Sequence, residues 1–206
     1  MSKQDTNTAF VTTLYDQAST NDATQSTAAA QPKLITAGVT ELDNGKPAMV
    51  FDGTDDYLAV SSTMFDGSSP TSVFNVMRND LSSGRYLLDG HEAASRFAFE
   101  NFGGTLNMGP IPTIASGSAY FTTSVPVLTS FVQDGAYASE IFKDGASAGS
   151  GTSAATPAAT LLRIGCRYNI ANFCDTRVQE ILIYASDQSA NRTILETNIN
   201  DHYGIY

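Results

Sequence analysis

The chain has 206 residues, with 21 acidic against 11 basic side chains and a formal net charge of −10. That balance lacks the basic footprint that nucleic-acid binding requires, and it disfavours an anionic membrane surface. The length fits one domain, 1–206, and no apolar run is long enough to span a bilayer.

Met1 to Thr8 is polar and lacks a hydrophobic signal core, so no secretory route is expected and the stretch is read as a docking arm. Short β-type runs then recur: Phe10 to Tyr15, Ala48 to Phe51, Tyr57 to Ser61, Ser72 to Met77, Arg85 to Leu88 and Ser95 to Glu100. They continue with Tyr120 to Thr123, Val127 to Val132, Ala138 to Phe142, Leu161 to Gly165 and Val178 to Tyr184. Between them stand Asp52-Gly53, Asp66-Gly67, Asp89-Gly90, Gly103-Gly104, Asp134-Gly135 and Asp144-Gly145. Such pairs tolerate the positive φ angles of tight hairpin turns. Many short strands at this spacing predict an all-β sandwich or barrel rather than βαβ units.

Phe97 and Phe99 alternate with Arg96, Ala98 and Glu100, which marks a half-buried strand. From Ile181 the apolar run is nearly continuous, which fits a strand covered on both faces or one inside the sandwich. The low-complexity stretch from Gly145 to Thr160 reads as a hairpin loop or weak edge strand. One helix is predicted from Ser189 to about Asp201, capped by Ser189, with Ile194, Leu195 and Ile199 on one side and Gly204 as a left-handed stop. Cys166 and Cys174 flank the loop from Arg167 to Phe173; they are too few for a disulfide framework or a cysteine zinc site. A single bridge and two unrelated thiols are both compatible with that spacing.

Three segments carry a resemblance. They are Met49-Val50-Phe51-Asp52-Gly53-Thr54-Asp55-Asp56-Tyr57-Leu58, then Phe142-Lys143-Asp144-Gly145, then Leu162-Arg163-Ile164-Gly165 running through Gln179-Glu180-Ile181-Leu182-Ile183-Tyr184 into Ser189-Ala190-Asn191. In order and spacing they resemble the laminin-G-like branch of the concanavalin A-like jelly rolls. The resemblance implies a two-sheet antiparallel jelly-roll sandwich with one short C-terminal helix, and a core including Phe51, Leu58, Phe97, Phe99, Ile164, Ile181 and Ile183. The stretch from Tyr15 to Gln25, with Ala18-Ser19 in place of the usual Ser-Gly, is similar to one in phage virion proteins and in a jelly-roll domain of arabinofuranosidases. The run from Glu196 to Tyr203 resembles the ending of jelly-roll domains in phage structural proteins.

The arabinofuranosidase likeness places Glu92 at the nucleophile. It places Arg167 where the acid should stand, and an arginine cannot act as a general acid. With no Gly-x-Ser-x-Gly elbow, P-loop or His-Glu-x-x-His, no catalytic set is expected. Glycan binding is the family's common activity, and the resemblance implies aromatic and hydrogen-bonding candidates: Tyr86, His91, Arg96, Tyr120, Arg167, Tyr168 and Asn169. Calcium is common in the superfamily, and Asp52, Asp55 and Asp56 would offer the hard oxygen ligands. The leading expectation is a non-catalytic structural or decoration protein on a bacteriophage virion surface. It would be a homo-oligomer that contacts capsid or tail proteins and binds surface glycans. A lectin-like module outside any virion comes second, and a glycosidase-related enzyme third.

Overall fold

The computed structural model describes residues 7–80, 85–91, 95–110, 113–117, 120–153 and 155–206. Two antiparallel sheets pack face to face, as expected of a jelly roll. The nine-stranded sheet runs in the order Ala9–Phe10, Lys33–Thr36, Met49–Asp52, Asp175–Tyr184, Ser72–Asn79, Pro126–Gln133, Ala138–Lys143, Ala146–Thr152, with Val39–Thr40 paired on Lys33–Thr36. The eight-stranded sheet runs Ile114–Ala115, Thr105–Pro110, Phe97–Phe102, Arg85–His91, Leu161–Ile164, Leu58–Val60, Ala23–Thr24, Thr13–Leu14. Low-complexity residues therefore form an edge strand at Ala146–Thr152, where small side chains suffice.

Phe51, Leu58, Phe97, Phe99 and Ile164 are buried between the sheets, with Phe97 stacked on Phe65 and edge-on to Phe131. Ile181 and Ile183 are half-buried against this core, while Leu182 and Tyr184 on the opposite face pack under the helix α1 (Arg192–Tyr203). The continuous apolar run is thus a strand covered on both faces. Gly165, at φ +93°, ends the Leu161–Ile164 strand, and a Cβ there would lie 2.4 Å from the Phe51 ring. Only glycine fits that contact.

Several expectations are corrected. The run from Phe10 to Tyr15 splits, giving one short strand to each sheet. Tyr120 to Thr123 is not a strand. Asp89-Gly90 is no turn but the middle of the Arg85–His91 strand, where Gly90 passes too close to Ala159 for a side chain. Ser189 does not cap α1, because its hydroxyl binds Asp187; Asn191 holds the cap position without a side-chain bond. Ile194 faces solvent at 70% exposure, whereas Ile199 is buried. Gly204 ends the helix at φ +63°, as expected. Of the arm from Met1 to Thr8, residues 1–6 lie outside the described residues, and the Asn7 carbonyl accepts the Gly38 N–H at 2.8 Å.

Candidate functional site

Cross-strand register builds one row on the outer face of the eight-stranded sheet. Thr13 stands opposite Thr24, Thr24 opposite Ala59, Ala59 opposite Arg163, and Arg163 opposite Asp89. Directly opposed residues project to the same side, so five strands place these side chains side by side. Their neighbours along each strand, Ala23, Val60, Leu162 and Leu88, point into the core.

Asp89 is fully buried, and burial raises its pKa, opposed by the Tyr168 N–H and by the Arg96 guanidinium. Its Oδ1 accepts Arg96 Nε at 2.8 Å and its Oδ2 accepts the Tyr168 N–H at 3.1 Å. Arg96 also lies over the Tyr168 ring at 5.0 Å. Arg167 sits over both Tyr86 and Tyr168, at 5.6 and 5.4 Å. Tyr86 is buried beside Glu100, and burial followed by the Glu100 hydrogen bond and charge pushes its hydroxyl up to about 12. Alternating guanidinium and phenol groups thus hold one another in place, each stack contributing on the order of 1 kcal/mol.

Beyond Arg163 the face opens into a cleft of about 450 Å³, lined by Thr12, Thr13, Thr24, Gln25, Tyr57 and Arg163 among others. Arg163 stacks on Tyr57 at 4.9 Å and donates Nε–H to the Tyr168 carbonyl at 3.2 Å, which ties the cleft to the arginine–tyrosine cluster. Thr24 and Gln25, at the end of the Tyr15 to Gln25 stretch, line the cleft together with the flanking Thr12, Thr13, Ser26 and Gln31, and the turn at the start of the stretch lies outside the lining. There Asp16 accepts hydrogen bonds from Ala18 N–H and the Ser19 hydroxyl, which hold its carboxyl down at about 2 and fix the turn despite the Ala18-Ser19 substitution.

The structure gathers Tyr86, Arg96, Arg167 and Tyr168, with Asn169 exposed in the same loop. His91 pairs with Leu161 at the end of its strand. Tyr120 does not join them: it is buried at 3% exposure, and its hydroxyl bonds Thr129 at 3.0 Å and the Phe142 carbonyl at 2.8 Å. It offers no platform to a ligand. Glu92 lies outside the described residues. Sequence reasoning missed Asp89, Arg163 and Tyr57; the alternation Leu162-Arg163-Ile164 was the one available signal, an arginine projecting away from the core mid-sheet.

Two other features lie apart. Asp52, Asp55 and Asp56 bring carboxylate oxygens within 4.8 Å of one another in the turn that joins the two sheets, and they could hold a cation there. Asp52 Oδ1 already accepts the Thr54 N–H at 2.8 Å, and Asp56 Oδ2 accepts the Asp52 N–H at 3.0 Å. Cys166 and Cys174 are both free and buried, and burial pushes each thiol up to about 12, which leaves them unreactive. No helix among the described residues is long and apolar enough to cross a membrane.

No family model and no curated protein matches the chain. Solved structures resemble its fold. Domain 4 of AbnA, a GH43 extracellular arabinanase from Geobacillus stearothermophilus solved with arabinotriose, has a TM-score of 0.58 at 14% identity, over 73% of this chain and 76% of that one. The heptameric SAP-like pentraxin of Limulus polyphemus has a TM-score of 0.56 at 12% identity, covering 74% and 82%. The binding domain of botulinum neurotoxin DC in complex with SialylT has a TM-score of 0.60 at 9% identity; 96% of this chain is covered, which spans 52% of that chain. At these identities the likeness is one of fold, a jelly-roll sandwich.

Proposed function

We propose that the chain is a non-catalytic jelly-roll domain that binds glycans on the outer face of its eight-stranded sheet. The observation that carries this reading is the continuous polar surface running from the Arg167–Tyr168–Arg96 cluster, backed by the buried Tyr86, to the cleft beside Arg163. Sugars are held by flat aromatic or guanidinium surfaces flanked by hydrogen-bonding groups, and this face supplies both. Arg167 also argues against hydrolysis, since the arabinofuranosidase likeness puts it at the position where the acid should stand. The fold neighbours solved with arabinotriose and with SialylT support the same reading.

The setting we propose is a bacteriophage virion surface, where a homo-oligomer would contact capsid or tail protein. Support comes from the two stretches that resemble phage structural proteins, of which the first reaches the cleft with its last two residues, Thr24 and Gln25. A glycan array probed with the full chain should give retained sugars, and Arg167→Ala with Tyr168→Ala should lose them by about ten-fold or more. An empty array, or variants that bind as the parent does, would defeat the binding reading. Mass spectrometry of purified particles should find the chain; a chain found only outside particles would leave a free-standing lectin-like domain instead.

A further inference from the structure

We infer that the cleft beside Arg163 takes a carboxylate-bearing sugar, a uronic or sialic acid residue, with the guanidinium of Arg163 on its carboxylate. This rests on the glycan reading and narrows it to a ligand class. The cleft is lined by Thr12, Thr13, Thr24, Gln25, Ser26, Gln31, Tyr57, Ala59 and Arg163. In a chain with 21 acidic residues, no carboxylate among the described residues lines this opening, and the one charged group that does is an arginine. Hydroxyl and amide groups make up most of the rest, which suits a ligand that is polyhydroxylated and singly anionic.

Arg163 is also unlike the chain's ion-paired arginines, and only Arg167, stacked between Tyr86 and Tyr168 in the neighbouring cluster, resembles it among the anchored arginines of the described residues. Arg78, Arg96, Arg177 and Arg192 each pair with a carboxylate. Among the described residues Arg163 has none. The carboxylate directly across the strand, Asp89, is engaged by Arg96 and by the Tyr168 N–H. Arg163 is nevertheless held still, by Nε–H on the Tyr168 carbonyl at 3.2 Å and by the Tyr57 ring at 4.9 Å. A guanidinium fixed through Nε and one flat face keeps its terminal nitrogens as a fork, the geometry that binds a carboxylate by two parallel hydrogen bonds. The net charge of −10 opposes an anion only weakly at this range, because salt screens charges beyond about 8–10 Å while contact pairs are screened far less.

The test is saturation-transfer NMR and calorimetry on the full chain. The probes are glucuronate against glucose, galacturonate against galactose, and N-acetylneuraminic acid against its methyl ester, with acetate as a carboxylate without hydroxyls. Acidic sugars should bind, their neutral counterparts and acetate about ten-fold or more weakly. Arg163→Gln should remove the preference for acid. Thr13→Glu should do the same while leaving the Arg163–Tyr57 stack intact, so a loss in both variants cannot be laid to misfolding of one. Equal binding of acidic and neutral sugars, or unchanged acid preference in both variants, overturns the acidic-sugar inference and leaves glycan binding standing. Binding of acetate as tight as the uronates shows a carboxylate site rather than a sugar site and also overturns it. No binding of any monosaccharide overturns it too, and the array then decides the wider reading by itself.

Discussion

The two sheets turn opposite characters outward. On the nine-stranded sheet the outer face carries Phe74, Val76, Leu128, Val132 and Phe142, a patch that water would not tolerate bare. The chain covers it with α1, whose Ile199 is buried on it and whose Leu195 and Tyr203 pack at its margin. A helix of 12 residues is marginal alone, and its N-cap makes no side-chain bond, so the sheet stabilises the helix as much as the helix shields the sheet. Arg192 finishes the seal, stacked 3.7 Å over Phe142 and paired with the buried Glu196. On the eight-stranded sheet Thr13, Thr24, Arg163 and Asp89 face outward, and no helix covers them among the described residues. Polar side chains that satisfy one another need no lid. One outer face is therefore committed to stability and the other is free for a ligand.

Breaking the open face at its buried anchor should have the largest effect. Arg96→Ala leaves the Asp89 carboxylate fully buried without its cation, and removing one partner of a buried pair costs about 3–5 kcal/mol. Urea denaturation at pH 7 should show that loss. Because burial already favours the protonated form of Asp89, the deficit should shrink as pH falls. A deficit that is constant with pH would mean the charge is not its source. On the sealed face Ile199→Ala should cost about 2–4 kcal/mol through a lost contact and a residual cavity. It should leave glycan affinity unchanged, and a parallel fall in affinity would show that the two faces are coupled.

Much of this division is legible in the sequence, and the remainder has a physical reason. Asp144-Gly145 and Gly103-Gly104 mark hairpins because successive positive φ angles, 51° and 79° and then 62° and 83°, are strained for most side chains. Alternation assigned Phe97 and Phe99 to the core, and Arg167 and Tyr168 were near each other in sequence. Asp89 was misread because Asp-Gly is a turn signal, while here glycine answers a close approach between strands. Tyr120 was misplaced because an aromatic side chain in a β-type run does not declare which side it faces. The cleft was out of reach altogether: its walls come from residues 12–31, 57–59 and 163, which register alone brings together.

The smallest effect is expected where the two sheets are joined. Asp56 stands in the turn between the Met49–Asp52 and Leu58–Val60 strands, buried at 4% exposure. Burial first, and then the charges of Asp52 and Asp55, push its carboxyl from 3.8 up to about 6, against the pull of the Asp52 N–H. The folded chain therefore holds this proton more tightly than the unfolded chain. The resulting stabilisation is fully present below pH 3.8 and is lost as pH rises through about 6. Asp56→Asn keeps an acceptor for the Asp52 N–H and removes the charge. It should raise stability at pH 7 by about 1–2 kcal/mol and flatten the difference between pH 4 and pH 6, read from urea midpoints. Neither outer face includes Asp56, so glycan affinity should not move. A variant no more stable than the parent at pH 7 would show that the ionised carboxylate is compensated there, as a bound cation held by Asp52 and Asp55 would do.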